Sequence, residues 1–99
     1  MKILTLGIAL LALGLANSAL AADAAAGETK AAACVACHGA DGIATMPLTP
    51  NLNGQKEDYL ALATKDYRDG VRSHDMMKMF VMNLTDADIA DLAAYYSAL

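Results

Sequence analysis

The chain has 99 residues and a formal net charge of −4, with eleven acidic and seven basic side chains, and 57% of its residues are hydrophobic. This acidic balance leaves no basic stripe with which to neutralise the phosphates of a nucleic acid. The length allows one small domain, and a domain of this size buries only about 60% of the surface of its unfolded chain. A further source of stability is therefore expected, and the two cysteines are the first residues to consider for it.

Residues 1–21 have the pattern of a secretory signal peptide. Lys2 is their single basic residue, an apolar stretch runs from Ile3 to Ala16, and Ala19-Leu20-Ala21 is a small-x-small cleavage pattern. A retained membrane anchor is disfavoured because this stretch is shorter than the roughly 20 residues that a spanning helix needs. We predict an exported, periplasmic domain of residues 22–99, in which six basic and eleven acidic side chains give a net charge of −5.

This domain opens with an alanine-rich segment, residues 22–36, predicted to be a short helix that runs into the cysteines. The run Cys34-Val35-Ala36-Cys37-His38 is a C-x-x-C-H motif, the attachment signature of a c-type haem. Two thiols three positions apart can each form a thioether with one vinyl group of the same porphyrin. His38 can offer its imidazole to the iron as the proximal ligand. The motif predicts one covalent haem c, which would also complete a marginal core.

Three other uses of the two cysteines explain the motif less well. A disulfide would close a tight loop that stabilises little chain, and it would leave His38 without a role. A thioredoxin-like redox pair belongs to a βαβ context that the sequence lacks. A zinc site would draw on Cys34, Cys37, His38 and His74. Adjacent residues such as Cys37 and His38 rarely bind one tetrahedral ion, so covalent haem attachment is the preferred interpretation.

The rest of the domain is predicted to be helical apart from one long loop. Residues 39–54 contain three glycines and both prolines and are predicted to be irregular. Apolar residues at helical spacing predict a helix from Glu57 to Asp69 with Gly70 as its C-cap, and a last helix after the N-cap Thr85. The methionine-rich segment 71–83 between them has no clear assignment. No segment alternates with a period of two for long enough to indicate a strand, so the domain is predicted to be all-α.

The residues alone leave the second axial ligand of the iron open. A thioether favours ferrous iron and suits electron transfer, whereas a second imidazole would give a bis-histidine haem. The available ligands are Met46, Met76, Met77, Met79, Met82 and His74. On the proximal side, Pro50 lies in the loop that must return to the haem, and its carbonyl is available to hold the His38 imidazole by a hydrogen bond.

These patterns together resemble the small class I cytochromes c, especially the short bacterial single-haem domains that also occur fused in dihaem cytochromes. The resemblance covers nearly all of residues 22–99 and is carried by Gly27, Cys34 to Gly39, Asp41-Gly42, Pro50 to Gln55, Tyr59-Leu60, Tyr67 to Arg72 and Leu84 to Tyr96. It implies three to four helices wrapped around one covalently attached haem. It also implies that the first and last helices cross, with Gly27 letting the backbone approach Leu92 and Tyr95.

The resemblance further implies roles for individual residues around the haem. Met77 is implied as the distal ligand, since the family has its methionine seven residues before the leucine that corresponds to Leu84. The Pro50 carbonyl would hold the proximal imidazole, and Leu52 would pack on the porphyrin. Arg72 would pair with a haem propionate.

The predicted function is that of an exported, soluble, monohaem carrier of single electrons that is not an enzyme by itself. The acidic balance favours redox partners with a basic docking face, and neither a nucleic acid nor a membrane anchor is expected after signal cleavage. The acids Asp86, Asp88 and Asp91 are expected to be solvated helix surface. Two other functions fit the sequence: a haem-bearing subunit of a larger oxidoreductase, for example with a flavoprotein, and a sensor that binds a small ligand at an open distal site.

Overall fold

The computed structural model describes residues 1–3, 7 and 21–99 of the chain. All regular structure in this part is helical, which confirms the all-α prediction. A 3₁₀ turn at Ala31–Ala33 separates the first two of its five α-helices, which are α1 Ala24–Lys30, α2 Val35–His38, α3 Glu57–Asp69, α4 Asp75–Val81 and α5 Asp86–Ser97. These five helices exceed the three to four that the resemblance implied, because the count includes the two short helices α2 and α4.

The signal peptide over residues 1–21 stays a prediction, since nearly all of it lies outside the described residues. Among the residues that are described, no helix combines the length and the apolar character needed to cross a membrane.

The alanine-rich segment forms one helix and a tighter turn rather than a single helix that runs into the cysteines. The Asp23 carboxylate starts α1 by accepting hydrogen bonds from the amides of Ala25 (2.9 Å) and Ala26 (3.1 Å). The chain then tightens at Ala31–Ala33 before α2 begins. A 3₁₀ turn has three residues per turn instead of 3.6, so it changes the direction in which the following side chains project. Nothing in the alanine sequence itself predicts that change.

Helix α3 ends, and helix α5 begins, at the residues that the sequence predicts. Gly70 ends α3 in the left-handed conformation, with φ at +80°. Thr85 and Asp88 form a capping box at the start of α5. The Thr85 hydroxyl accepts the Asp88 amide at 3.1 Å, and the Asp88 carboxylate accepts the Thr85 amide at 2.9 Å. These local signals therefore determine the end of α3 and the start of α5.

The unassigned segment 71–83 contains the helix α4, whose start has an unusual cap. His74 is its N-cap, with an extended backbone and a ring nitrogen that accepts the Met77 amide. Histidine is not among the residues favoured at N-caps, so the usual start signal is missing from the sequence. Methionine itself is a good helix former, and the segment continues as a helix once it has begun.

The core lies where α1 and α3 pack against α5. Its buried cluster consists of Ala31, Leu60, Leu92, Ala93 and Tyr96. In the part of the chain that the structure describes, only Val81 and Ile89 add further buried apolar side chains. Seven such residues make a small core.

Helices α1 and α5 meet backbone to backbone at Gly27. A Cβ atom at Gly27 would lie 2.6 Å from the Asp91 carbonyl carbon and 2.8 Å from the Tyr95 Cβ, closer than real contacts allow. The close approach to Tyr95 agrees with the expectation from the sequence. The expected contact at Leu92 is instead made at Asp91, one residue earlier, and Leu92 contributes to the buried core. Only a glycine fits at this crossing.

Ion pairs join the same two helices at their polar edge. The Lys30 ammonium lies 2.9 Å from an Asp88 oxygen and 2.6 Å from an Asp91 oxygen. Asp91 also accepts the Asp23 amide at 2.8 Å. The expectation that Asp88 and Asp91 are simply solvated is therefore wrong, because both carboxylates hold α1 against α5. Asp86 is likewise paired, with its oxygen 2.7 Å from the Arg68 guanidinium.

Replacing Gly27 by alanine should destabilise the domain although alanine is the better helix former. The added methyl group would overlap the α5 backbone, and overpacking of this kind costs about 1–3 kcal/mol. We expect the free energy of unfolding of the haem-loaded protein, measured by chemical denaturation, to fall by about 2–3 kcal/mol in Gly27→Ala. The exposed neighbour provides the control, since Glu28→Ala should stay within about 0.5 kcal/mol of the wild type. A Gly27→Ala protein as stable as the wild type would contradict the backbone contact.

The Lys30 ion pairs should make stability depend on acid pH. The hydrogen bond from Lys30, followed by those from Thr85, lowers the pKa of Asp88 to about 2, and Lys30 is also the main cause of the lowered pKa of Asp91. A carboxylate with a lowered pKa in the folded state adds stability that is fully present above its unfolded pKa and is lost as the pH falls towards the folded value. In Lys30→Met this contribution is smaller, so its stability deficit relative to the wild type should shrink as the pH falls from 6 to about 2.5. Denaturation midpoints at both pH values would measure this, and a deficit that grows in acid would refute it.

Candidate functional site

Helix α2 brings both cysteines and the histidine of the motif into one helical turn. The Cys34 carbonyl accepts the amides of Cys37 (3.3 Å) and His38 (2.9 Å). Residues three positions apart lie on the same side of a helix, so the two thiols can reach one planar group. They form no disulfide with each other in this structure.

The His38 imidazole is buried and held in one orientation. Its side chain is 7% exposed, and its Nδ1 lies 2.9 Å from the Pro50 carbonyl oxygen. Because a carbonyl oxygen can only accept, Nδ1 must carry the proton. In the neutral ring with this tautomer, the lone pair of Nε2 is available to a metal. The contact between His38 and Pro50 is the one that the sequence led us to expect.

Loop 39–54 folds back on itself and so presents the Pro50 carbonyl to His38. Gly42 adopts a φ of +75°, and its carbonyl accepts the amides of Leu52 (2.7 Å) and Asn53 (3.2 Å). The Asn51 side chain closes the same loop by accepting the Ala44 amide at 2.8 Å. A Cβ at Gly42 would lie 2.8 Å from the Asn53 nitrogen, so the loop can close only around a glycine. The role of the Asn51 side chain was not recognised in the sequence, although asparagine is common in turns.

Tyr96 of α5 is a further part of the site that sequence reasoning missed. Its hydroxyl is buried and has no hydrogen bond of normal geometry in the described part of the protein. Burial raises the pKa of Tyr96, and the neighbouring Cys34 thiol adds to the shift. Burial also raises the pKa of Cys34. These residues are 62 positions apart, and no sequence pattern pairs them.

The remaining predicted site residues occupy two separate regions. Leu52 is partly buried against the core cluster, as is Cys34. Arg72 lies with its guanidinium carbon 4.5 Å from the centre of the Tyr67 ring. Met77 is half-buried in α4, and its amide donates to His74 Nδ1 at 3.3 Å. These contacts give positions for the three residues but do not test the roles that the resemblance implied for them.

The other two alternatives for the cysteine motif also lack support. Within the described residues, no three His, Cys, Asp or Glu side chains come together as a metal site, so the zinc site of Cys34, Cys37, His38 and His74 is not assembled. The thioredoxin-like arrangement requires strands, and the described residues contain none.

The site fits a covalently attached haem by its chemistry and by its burial. Two thiols and one oriented imidazole are the donor set that a c-type haem uses. The orphaned Tyr96 hydroxyl beside Cys34 is unusual for a buried polar atom and indicates that this pocket is completed by another group. Large apolar side chains on α4 and in loop 39–54 are exposed, including Met46, Leu48, Met76, Met79 and Phe80. Fold and site therefore define an all-α protein built to hold one haem.

Comparison with known proteins agrees with this class. The cytochrome c family description matches residues 24–99. Cytochrome c-554(548) of Halomonas halodenitrificans is 52% identical over 81 residues, which cover 79% of this chain and 98% of that protein. Cytochrome c4 of Pseudomonas aeruginosa is 51% identical over 90 residues, which cover 90% of this chain and 45% of the relative. The chain thus spans about half the length of this cytochrome c4.

A solved structure shows the same fold. The crystal structure of reduced recombinant cytochrome c4 from Pseudomonas stutzeri superposes with a TM-score of 0.71 at 39% identity, covering 78% of this chain and 45% of that one. The chain belongs to the cytochrome c family. It is a haem electron-transfer protein that binds one haem c covalently, with the C-x-x-C-H motif at Cys34 to His38.

Replacing Gly42 by alanine should destabilise the loop that presents the Pro50 carbonyl to His38, without changing either of those residues. The substitution forces a non-glycine residue into a positive φ and against the Asn53 backbone, so we expect a loss of about 1–3 kcal/mol in the free energy of unfolding. The thermal midpoint of the haem-loaded protein should fall accordingly. Ala44→Ser, in the same loop, should keep the wild-type midpoint because Ala44 has no positive φ and serine keeps the amide that donates to Asn51. Equal midpoints for Gly42→Ala and the wild type would show that the loop closes without the glycine.

Proposed function

We propose that this protein is an exported, periplasmic one-electron carrier in which His38 and Met77 are the two axial ligands of the haem iron. The observation that carries the proposal is the buried His38 imidazole, whose Nδ1 donates to the Pro50 carbonyl and leaves Nε2 for the iron. A ring held in this way cannot turn away from the metal without losing a hydrogen bond in a buried site. Export is supported by the signal-peptide pattern of residues 1–21.

Burial favours Met77 over its neighbours as the second ligand. Met76, Met79 and Met82 are all at least half exposed, at 51%, 60% and 53%. Met77 is half-buried and lies one helical turn before Val81, which is buried. Residues i and i+4 share one face of a helix, so Met77 lies on the inward face of α4.

Each residue of the site has a separate task in this proposal. Cys34 and Cys37 hold the porphyrin by thioether bonds, while Leu52 excludes water beside it and Arg72 offers a positive charge to a propionate. The bound haem supplies the one-electron couple between ferric and ferrous iron. With His38 and Met77 occupying both axial positions, no coordination site is left for a substrate. The protein is therefore a carrier rather than an enzyme.

The partners are proposed to be redox proteins with a basic docking face. Residues 22–99 have eleven acidic and six basic side chains, and this surplus attracts a basic surface over a distance set by the ionic strength. On the outer side of α4, Met76, Met79 and Phe80 expose apolar surface at helical spacing. Such a patch suits a contact that forms and separates quickly, because charge brings the partners together while a small apolar area limits the lifetime of the complex.

Methionine ligation makes a spectroscopic prediction. The oxidised protein should show a thioether-to-iron charge-transfer band in the red, and Met77→Ala should abolish it. Met76→Ala and Met79→Ala are the matched controls and should keep the band, because both side chains are exposed. Loss of the band in either control but not in Met77→Ala would reassign the ligand. A wild-type protein without the band would exclude methionine ligation.

A further inference from the structure

Helix α4 is too short to determine the position of Met77 by itself. It contains seven residues, about two turns, and isolated helices of that length are unstable in water. The position of Met77 therefore depends on what holds the two ends of α4. The described side chains attach each end to α3.

At the first turn, the His74 side chain makes two different contacts. Its Nδ1 accepts the Met77 amide at 3.3 Å, which satisfies a helix N-terminal donor that would otherwise have no partner. Its ring lies edge-on to Tyr67 of α3, with 6.4 Å between ring centres and 78° between ring planes. A second partner of Tyr67 is Arg72, whose guanidinium lies over the ring. A cap of the usual kind, such as serine or asparagine, would provide the hydrogen bond without the aromatic contact.

At the second turn, the Lys78 ammonium donates to the Arg68 carbonyl near the end of α3. Arg68 in turn donates to the Leu84 carbonyl at 3.2 Å and to Asp86 at 2.7 Å, just before and at the start of α5. The second turn of α4 is therefore held through its own lysine. Only the His74 contact acts on the amide of the methionine itself.

We propose that His74 is a positioning residue for the distal iron ligand: its ring nitrogen holds the Met77 amide while its ring packs on Tyr67, and together these contacts set the position of the Met77 sulfur. This inference rests on the proposed function, in which Met77 binds the iron. It also assigns His74 a role other than the bis-histidine ligand considered from the sequence: Nδ1 accepts the Met77 amide, so the neutral ring carries its proton on Nε2 and has no lone pair left for the iron.

Competition by added imidazole for the distal position of the oxidised, haem-loaded protein tests this role. Loss of the thioether band reports displacement of the sulfur, and the imidazole concentration at half-displacement measures how firmly it is held. His74→Ala removes both contacts and should lower that concentration about five- to tenfold, the effect of losing one helix cap. His74→Asn keeps a capping side chain and should recover most of the wild-type value. Tyr67→Leu keeps the cap and should show a smaller decrease than His74→Ala.

A control separates positioning from general stability. Thr85→Ala removes the N-cap of α5, so it should lower the free energy of unfolding but leave the half-displacement concentration unchanged. The positioning role is overturned if His74→Ala has the half-displacement concentration of the wild type, or if His74→Asn has a value as low as that of His74→Ala. It is also overturned if Thr85→Ala lowers the half-displacement concentration as much as His74→Ala does. A wrong ligand assignment gives a different result from a failed positioning role, because the thioether band would then be retained in Met77→Ala.

Discussion

The backbone contact between α1 and α5 at Gly27 is the constraint on which the positions of the haem-site residues depend. From this crossing, α1 leads through one 3₁₀ turn to Cys34. Helix α5 places the Tyr96 hydroxyl beside that cysteine, and the Tyr96 carbonyl accepts the Gly54 amide at 2.9 Å. Gly54 closes the loop that contains Pro50, so the crossing determines where that loop starts and where it ends. A shift of one helix along the other would move the attachment cysteine and the Pro50 carbonyl relative to each other.

In the proposed iron site, the His38 side and the Met77 side are built with different stiffness. His38 lies next to an attachment cysteine, and its hydrogen bond to Pro50 comes from a loop closed by several backbone hydrogen bonds of its own. A single hydrogen bond adds only about 1 kcal/mol, so the closed loop accounts for most of the rigidity. Met77 lies instead on a two-turn helix attached to α3 by the side chains of His74 and Lys78. Under the proposed ligation by Met77, substitutions on α4 would therefore change how firmly its sulfur is held without disturbing His38.

Local patterns allowed much of this site to be predicted, and long-range contacts account for what was missed. The capping residues Gly70 and Thr85 act within a few residues of themselves, so their effect can be read from the sequence, and both helix limits are confirmed. The start of α4 was not predicted because His74 is not a usual cap residue. The pairing of Cys34 with Tyr96 depends on how two distant helices pack, and a single sequence contains no pattern for that register. The sequence therefore predicted features whose interacting residues are close in sequence, and it did not predict contacts that depend on how distant helices pack.

The small core explains why fold and cofactor depend on each other in this protein. Seven apolar side chains are buried among the described residues, while Met76, Met79 and Phe80 remain about half exposed. Burial of apolar area contributes about 25 cal/mol per Å², and the side chains that achieve it here are mainly alanines and leucines. A covalent porphyrin adds apolar area that no substitution of a single side chain could match. It also cannot dissociate, so its contribution does not depend on its concentration as that of a reversible ligand would. The haem attached through Cys34 and Cys37 thus adds to a small core and also provides the redox chemistry.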